Sequence, residues 1–182
     1  VWGDGGMITT NNDYLAEKIR LMRNHGLVSR DICTMVAGNC RLHTIQAVVA
    51  LRLMPEVRAV SDKRIENANL YDSLLRDVDG ITVPPRPIPK RQVYHTYVIQ
   101  VERRDELQKH LTENGVETKV HYPVPIHLQK PYLGLGYKKG DFPVCEAQAE
   151  KILSLPIHQY LERDQIYYAA NLIRKFYGHS EV

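Results

Sequence analysis

The sequence has few cysteines, no long apolar run and no cluster of basic residues, and each of these absences excludes a class of protein. Cys33, Cys40 and Cys145 are odd in number and widely spaced, which argues against a disulfide framework and a zinc knuckle. No apolar stretch approaches the roughly 18 to 20 residues that cross a bilayer. The 24 basic and 21 acidic residues are scattered, so nucleic acid is not an expected partner. We therefore expect a cytoplasmic protein with reduced thiols.

The remaining composition is that of an ordinary globular protein. Hydrophobic residues make up 43% and charged residues 25%, which is enough apolar material for a core. A length of 182 residues corresponds to one large domain or to parts of two. The chain opens on Val1-Trp2-Gly3-Asp4-Gly5-Gly6, with neither an initiator methionine nor a signal peptide. We expect it to be the later part of a longer protein.

Helical patterns dominate the first 77 residues. A glycine-rich segment, which by itself is typical of a hairpin turn, precedes a β-branched run. Asn11, Asn12 and Asp13 provide an N-cap for a helix that ends at Asn24-His25-Gly26. The predicted elements are a strand at 7–10, this first helix, a loop at 27–42, an apolar helix at 45–54 broken by Pro55, and a long amphipathic helix at 56–77.

The composition changes at residues 83–89, where four prolines in seven residues exclude a helix and predict a rigid connector. After it, strand and helix patterns alternate. The predicted elements are strands at 94–101 and 116–120, helices at 105–114, 146–153 and 163–177, a loop at 122–143, and an apolar packing strand at 153–157. We expect residues 78–182 to form a small α+β domain and residues 1–77 to be the end of a larger α/β domain, including a long interdomain helix.

Two segments contain residues suited to binding. In Gly38-Asn39-Cys40-Arg41-Leu42, the amide and the guanidinium would donate to a phosphate or carboxylate, although Asn39 would equally serve as the cap of the next helix. In the segment 119–127, His121, Tyr122 and His127 follow a predicted strand in a loop stiffened by prolines. These histidines either line a binding site or are hydrogen-bonded in the core. Neither shows the spacing of a metal site.

Taken in order, these segments resemble the DegT/DnrJ/EryC1/StrS family of sugar aminotransferases, a branch of the fold-type I pyridoxal-phosphate enzymes. The resemblance covers essentially the whole chain. It rests on Gly3-Asp4-Gly5-Gly6, Arg23-Asn24-His25-Gly26, Gly38 to Leu42 with Gln46-Ala47, His121-Tyr122-Pro123 with His127, Tyr132, and Leu155-Pro156-Ile157. It implies the fold of the C-terminal portion of such an enzyme, an α/β fold that combines the end of the large domain with the small α+β domain.

The resemblance also implies a function for the parent protein. Family members bind pyridoxal 5'-phosphate through a lysine shortly before the glycine-rich turn, and work as homodimers with shared active sites. Glutamate gives its amino group to the cofactor, which then aminates a nucleotide-linked keto sugar. The resemblance assigns Asn39 to the cofactor phosphate of the partner subunit and places Arg41 close by, at the cofactor and at anionic groups of the substrate. It assigns His121, Tyr122, His127 and Tyr132 to the substrate entrance.

The lysine expected from the resemblance would lie upstream of Val1, so we expect this chain alone to be inactive. Three alternatives stay open. The parent would be a regulatory or sugar-binding relative that does not aminate, or an enzyme that makes an aminated cyclitol or an aminobenzoate precursor. In the third alternative, residues 78–182 are an independent interaction module, although the apolar face of the helix at 56–77 needs a partner surface.

Overall fold

The computed structural model describes residues 3–182, so Val1 and Trp2 lie outside the described residues, and the predicted glycine-rich turn at Gly3 to Gly6 lies within them. Helices and strands are mixed along the described part of the chain. In order they are α1 (Asp13–Met22), α2 (Thr44–Leu53), α3 (Val57–Leu75), β1 (Ile81–Thr82), β2 (Tyr97–Val101), α4 (Arg104–Glu113), α5 (Pro143–Lys151), β3 (Ile152–Leu155) and α6 (Arg163–Phe176). Short 3-10 helices span Met54–Glu56, Ile126–Leu128 and Lys130–Leu135. None of the described helices is both long enough and apolar enough to cross a membrane.

The chain divides into two compact units, Val1–Val57 and Arg58–Val182. Nearly all of α3 therefore belongs to the second unit, where Ala68, Tyr71 and Leu75 are fully buried. The sequence places the domain division of the longer protein between residues 77 and 78. That division stays a prediction, because it concerns how the whole protein is organised rather than which residues of this chain pack together.

In the first unit, α1 begins and ends as predicted. The Asn12 side chain accepts a hydrogen bond from the Leu15 amide at 3.1 Å, which satisfies a donor of the first turn. The chain reverses after α1 at His25 and Gly26, whose φ angles are +56° and +68°. A Cβ on Gly26 would lie 2.0 Å from the Met35 carbonyl oxygen, so this reversal requires glycine.

The structure tests two further predictions in this unit, a strand at residues 7–10 and a helix break at Pro55. The strand predicted at residues 7–10 is wrong, because the described residues offer this segment no neighbouring strand to pair with. The predicted break at Pro55 is confirmed: α2 ends at Leu53, and the 3-10 helix Met54–Glu56 leads into α3. Proline has no amide hydrogen and therefore cannot continue the α-helical hydrogen-bond ladder. The apolar side chains of α2 remain largely exposed.

The second unit is built on an antiparallel sheet in the order β1-β2-β3, with helices packed against it. In the central strand, Tyr97, Ile99 and Val101 alternate with half-buried residues and point into the core. The core side chains come from α3, the sheet, α4 and α6; the largest fully buried ones are Tyr71, Leu75, Tyr97, Ile99, Leu107, Leu111, Leu153, Ile166 and Ile173.

Several elements of the second unit differ from the sequence prediction in their bounds. The helix predicted at 146–153 stops at Lys151, because Ile152 and Leu153 pair with β2 opposite Gln100 and Ile99. The strand predicted at 116–120 is reduced to an isolated bridge between Lys119 and Ser154. The predicted packing strand is confirmed as β3, although it covers Ile152–Leu155 and not the whole of residues 153–157.

Two polar groups attach α3 and the segment after it to this core. The buried Asp72 carboxylate accepts hydrogen bonds from the Tyr97 hydroxyl at 2.7 Å and from Arg86 Nε at 2.6 Å. Arg174 on α6 donates to the Leu74 carbonyl at 2.8 Å. Because Arg86 belongs to the proline-rich segment, Asp72 joins that segment to the sheet.

Candidate functional site

The segment that contains Asn39 and Arg41 is held by the chain reversal that follows α1. Asn24 and Asn39 form an antiparallel bridge. The His25 amide donates to the Gly38 carbonyl at 2.8 Å, and the Cys40 amide donates to the Arg23 carbonyl at 2.9 Å. The motif at 23–26 is therefore the backbone partner of the motif at 38–42, and the required glycine at position 26 shapes both.

Asn39 and Arg41 are exposed and bonded to each other: Arg41 Nε donates to Asn39 Oδ1 at 3.1 Å. They line a depression of about 470 Å³ with Leu42, His43 and Thr44 at the start of α2. The N-cap of α2 is His43, and its side chain makes no capping hydrogen bond. The alternative in which Asn39 caps this helix is therefore wrong.

The chemistry of this depression suits an anion. The oxygen of Asn39 is used by Arg41, so the NH₂ group of the same planar amide is the side that donates elsewhere. A guanidinium, a threonine hydroxyl and the uncapped first turn of α2 add further donors. Donors of this kind are the ones that bind phosphate groups in proteins.

His121 and Tyr122 lie where the chain leaves the bridge between Lys119 and Ser154. His121 Nδ1 is 2.9 Å from Ser154 Oγ, and the ring of Tyr122 meets the His121 ring edge-on at a centroid distance of 5.9 Å. His121 also lines a depression of about 460 Å³; its other polar and charged lining residues are His95, Thr96, Glu117, Thr118, Lys119, Ser154 and His158. The Tyr122 side chain is 77% exposed and free to contact a ligand.

His127 is in a different environment from His121. It lies in the 3-10 helix Ile126–Leu128, is only 8% exposed, and its Nε2 is 3.0 Å from Glu146 Oε1. The Phe142 ring packs against its imidazole at a centroid distance of 4.7 Å. Of the two alternatives for these histidines, the hydrogen-bonded core position describes His127 in this structure, and a direct substrate contact by His127 stays a prediction.

Tyr132 lies in the 3-10 helix Lys130–Leu135 and is 44% exposed. The sequence does not single out two residues that lie near these side chains, Glu146 and Ser154. Ser154 lies within the predicted packing strand, and no spacing in the sequence links Glu146 to His127. Among residues 3–182 no group of three or more histidine, cysteine or acidic side chains is arranged to hold a metal ion, and all three cysteines are free.

Comparison with solved structures places this fold in one class of protein. The structure matches Streptomyces venezuelae DesV, solved in complex with a ketimine intermediate, with a TM-score of 0.89 and 34% identity over 93% of this chain and 46% of that one. It matches a DegT DnrJ EryC1 StrS aminotransferase from Brucella abortus with a TM-score of 0.85 and 32% identity, over 93% and 45%. The fold is therefore that of the C-terminal portion of a sugar aminotransferase.

The sequence gives the family directly. The sequence model of the DegT/DnrJ/EryC1/StrS aminotransferase family matches residues 1–174, and the chain belongs to this family. It is 39% identical to a pleiotropic regulatory protein of Geobacillus stearothermophilus, over 98% of this chain and 48% of that protein. It is 41% identical to the erythromycin biosynthesis sensory transduction protein EryC1 of Saccharopolyspora erythraea, over 89% and 44%.

A third relative is named for its reaction. The dTDP-3-amino-3,4,6-trideoxy-alpha-D-glucose transaminase of Streptomyces venezuelae is 35% identical over 96% of this chain and 46% of its own length. The chain thus spans about half the length of the curated relatives it matches.

Proposed function

We propose that a protein of the relatives' full length, with this chain as its C-terminal part, is an aminotransferase that moves an amino group from glutamate to a nucleotide-linked keto sugar. The observation that carries the proposal is similarity over nearly the whole chain to transaminases of dTDP- and UDP-linked sugars, at 34 to 35% identity. The DesV complex with a ketimine intermediate supports the same chemistry. The product would be an amino sugar for a surface polysaccharide or a secondary metabolite.

The cofactor proposed for this reaction is pyridoxal 5'-phosphate, and the residues present fit its phosphate group. Asn39 and Arg41 would hold that phosphate, with the first turn of α2 behind them. When bound, the cofactor supplies an electron sink for breaking bonds at the amino-bearing carbon. The role of this chain is to fix the position of the phosphate, so that the reactive end of the cofactor meets its substrate in one orientation. From the family resemblance, the phosphate is that of the partner subunit, which makes the proposed enzyme a homodimer.

For the sugar substrate we propose the exposed side chains of the segment 121–132. The rings of Tyr122 and Tyr132 present an apolar face and a hydroxyl, a combination that suits a sugar ring. Lys119, which also pairs with Glu117 at 3.6 Å, and the histidines of the neighbouring depression provide hydrogen-bond donors for a diphosphate. His127 contributes by fixing the position of this segment and makes no direct contact in this proposal.

The test uses the longest open reading frame that contains these 182 residues. We expect the purified protein to absorb visible light, to change its spectrum with glutamate, and to recover the original spectrum with a dTDP- or UDP-linked keto sugar. Arg41→Ala and Asn39→Ala should weaken cofactor binding, whereas Arg30→Ala, in the same loop region, should not. A protein with no chromophore after incubation with the cofactor, and no amino transfer, would contradict the proposal.

A second candidate is a regulatory relative that binds the sugar or the cofactor without amination. It is favoured by the names of two relatives at 39% and 41% identity, a pleiotropic regulatory protein and a sensory transduction protein. Binding of a nucleotide sugar without turnover of any keto sugar tested would support this candidate. Amination of a keto cyclitol in place of a nucleotide sugar would indicate the remaining enzymatic alternative. The expected inactivity of the 182-residue chain by itself stays a prediction, checked in the same assay.

A further inference from the structure

The half-buried carboxylate of Glu146 joins three segments of the second unit. It lies in the first turn of α5, and its side chain is only 12% exposed. Oε1 is 3.0 Å from His127 Nε2 and 2.9 Å from the Gly140 amide, Oε2 is also 2.9 Å from that amide, and the Phe142 amide donates to Oε1 at 3.3 Å. These four residues, His127, Gly140, Phe142 and Glu146, are referred to below as the Glu146 cluster.

The cluster holds both ends of the segment that carries Tyr132. His127 precedes Tyr132 in the chain, and Gly140 follows it, so one carboxylate fixes the chain on each side of that residue. Phe142 covers the imidazole, and Tyr137 packs edge-on against Phe142 at 5.2 Å. Residues between the two attachment points contribute little to the core, since no side chain from 128 to 142 is buried. Their position therefore depends on these hydrogen bonds more than on apolar packing.

The charge state of the cluster follows from its donors. Burial acts to raise the pKa of Glu146, but the hydrogen bonds from the Gly140 amide, His127 and the Phe142 amide together outweigh it and lower that pKa. An ionised carboxylate can only accept, so His127 Nε2 is the donor in this pair. The bond thereby fixes the orientation of the imidazole ring in addition to its position.

We propose that Glu146 is a positioning residue, which acts through His127 and the amides of Gly140 and Phe142 to hold Tyr132 in the arrangement that binds the keto sugar. This proposal rests on the proposed function for its substrate, but the cluster itself is a property of this chain. Glu146 does not touch the sugar. Its contribution is that the segment is ordered before binding, so less conformational entropy is lost when the substrate arrives.

The test compares Glu146→Gln with Glu150→Gln in the longest protein that contains this chain. Glu150 lies on the same helix and is exposed, so its variant controls for the change of charge and of helix composition. In Glu146→Gln we expect backbone amides of residues 128–142 to exchange with deuterium about tenfold faster than in the control. We expect KM for the keto sugar to rise about tenfold, with kcat within about twofold and the glutamate half-reaction unchanged.

A second pair of variants protects the test against a failure of Glu146→Gln to fold. His127→Gln keeps a side-chain donor for the carboxylate, whereas His127→Ala removes the donor and leaves space beneath Phe142. We expect His127→Gln to recover part of the deuterium protection and part of the low KM that His127→Ala loses. His127→Leu fills a similar volume without a donor, so it should not recover the protection or the low KM unless His127 only fills space.

Three results would overturn the proposal. Unchanged exchange of residues 128–142 in both Glu146→Gln and His127→Ala would show that the cluster does not order the segment. Equal losses in the glutamate and keto-sugar half-reactions would show general structural damage and no positioning of the sugar. Faster exchange with an unchanged KM would show that the order of the segment does not affect binding of the keto sugar. A wild type without transamination contradicts the proposed function instead, and the exchange measurement still decides whether the cluster orders the segment.

Discussion

The two compact units of this chain differ in how they are held together. In the second unit, side chains from three helices and the sheet surround a shared core, and Tyr71, Ile99 and Leu153 are fully buried. Among the described residues up to Val57, Gly26 alone is buried, and the segments are joined chiefly by backbone hydrogen bonds. The motifs at residues 23–26 and 38–42 of the first unit therefore specify a local backbone arrangement. The second unit, in contrast, has the apolar burial that stabilises an independent fold.

The strongest test of this difference between the units is to truncate the chain at the two alternative boundaries, before residue 58 and before residue 78. A protein of residues 58–182 keeps all the core side chains, and we expect it to unfold cooperatively in urea. A protein of residues 78–182 loses Ala68, Tyr71, Leu74 and Leu75 from α3. Each large core residue contributes about 2–5 kcal/mol, and small domains are stable by only about 5–15 kcal/mol. We therefore expect residues 78–182 to show no cooperative transition by circular dichroism.

This truncation also decides a rival hypothesis. Loss of folding in residues 78–182 would exclude an independent interaction module with that boundary. A cooperative, monomeric 78–182 would support the module and would show that α3 is dispensable for the core. The matched control is the protein of residues 58–182, which differs only by α3 and the residues just after it.

The next prediction compares one substitution in the two units. Leu153→Ala removes a fully buried side chain from β3, and we expect the free energy of unfolding to fall by about 2–5 kcal/mol. Leu51→Ala, on α2, changes a side chain that is 70% exposed, so we expect a change within about 0.5 kcal/mol. Urea denaturation of the 182-residue chain measures both. Equal effects would show that α2 is part of the stabilising core, contrary to the comparison.

Much of the secondary structure could be read from the sequence, because its signals are local. The Asn12 cap, the break at Pro55 and the amphipathic pattern of α6 depend on neighbours within one or two turns. The secondary-structure predictions fail where pairing with a strand distant in sequence decides the conformation. Residues 7–10 include β-branched side chains, but no strand among residues 3–182 lies beside them. Ile152 leaves the predicted helix because β2 offers it a hydrogen-bonded partner.

The candidate site was predictable in its residue types and not in its contacts. The sequence singled out Asn39 and Arg41, and the structure places them together with donors suited to an anion. It also grouped His127 with His121, although one is buried against a carboxylate and the other lines a depression. That difference depends on Glu146, which approaches His127 only because residues 128–142 fold back onto α5. No periodicity in the sequence encodes this approach.

The third prediction addresses the backbone arrangement of the first unit. Gly26→Ala places a methyl group against the Met35 carbonyl at a positive φ, and we expect the pairing of residues 23–25 with 38–40 to weaken by about 1–3 kcal/mol or more. Gly38→Ala is the matched control, since a Cβ there meets nothing within 4 Å. Limited proteolysis of residues 27–42 should be about tenfold faster in Gly26→Ala than in Gly38→Ala. Equal cleavage rates would show that the reversal does not order this segment.

The smallest expected effect is electrostatic and belongs to the second unit. Arg174 donates to Asp77 Oδ1 at 2.7 Å, and this hydrogen bond is the main reason that the pKa of Asp77 is lowered in the folded protein. A lowered carboxyl pKa stabilises the fold above the unfolded value of about 3.9, and the stabilisation is lost as the pH falls through the folded pKa. The wild type should therefore melt slightly above Asp77→Asn at neutral pH and match it in acid.

The control for this last effect is Asp79→Asn, which removes an exposed carboxyl two residues away. Thermal melts of the three proteins between neutral and acid pH should show a pH-dependent difference from the wild type for Asp77→Asn alone. The difference should be small, because the Asp77 side chain is 63% exposed and solvent weakens its ion pair. A difference that persisted unchanged below the folded pKa would mean that Asp77 acts through packing, and that Arg174 is held by the Leu74 carbonyl without help from the charge.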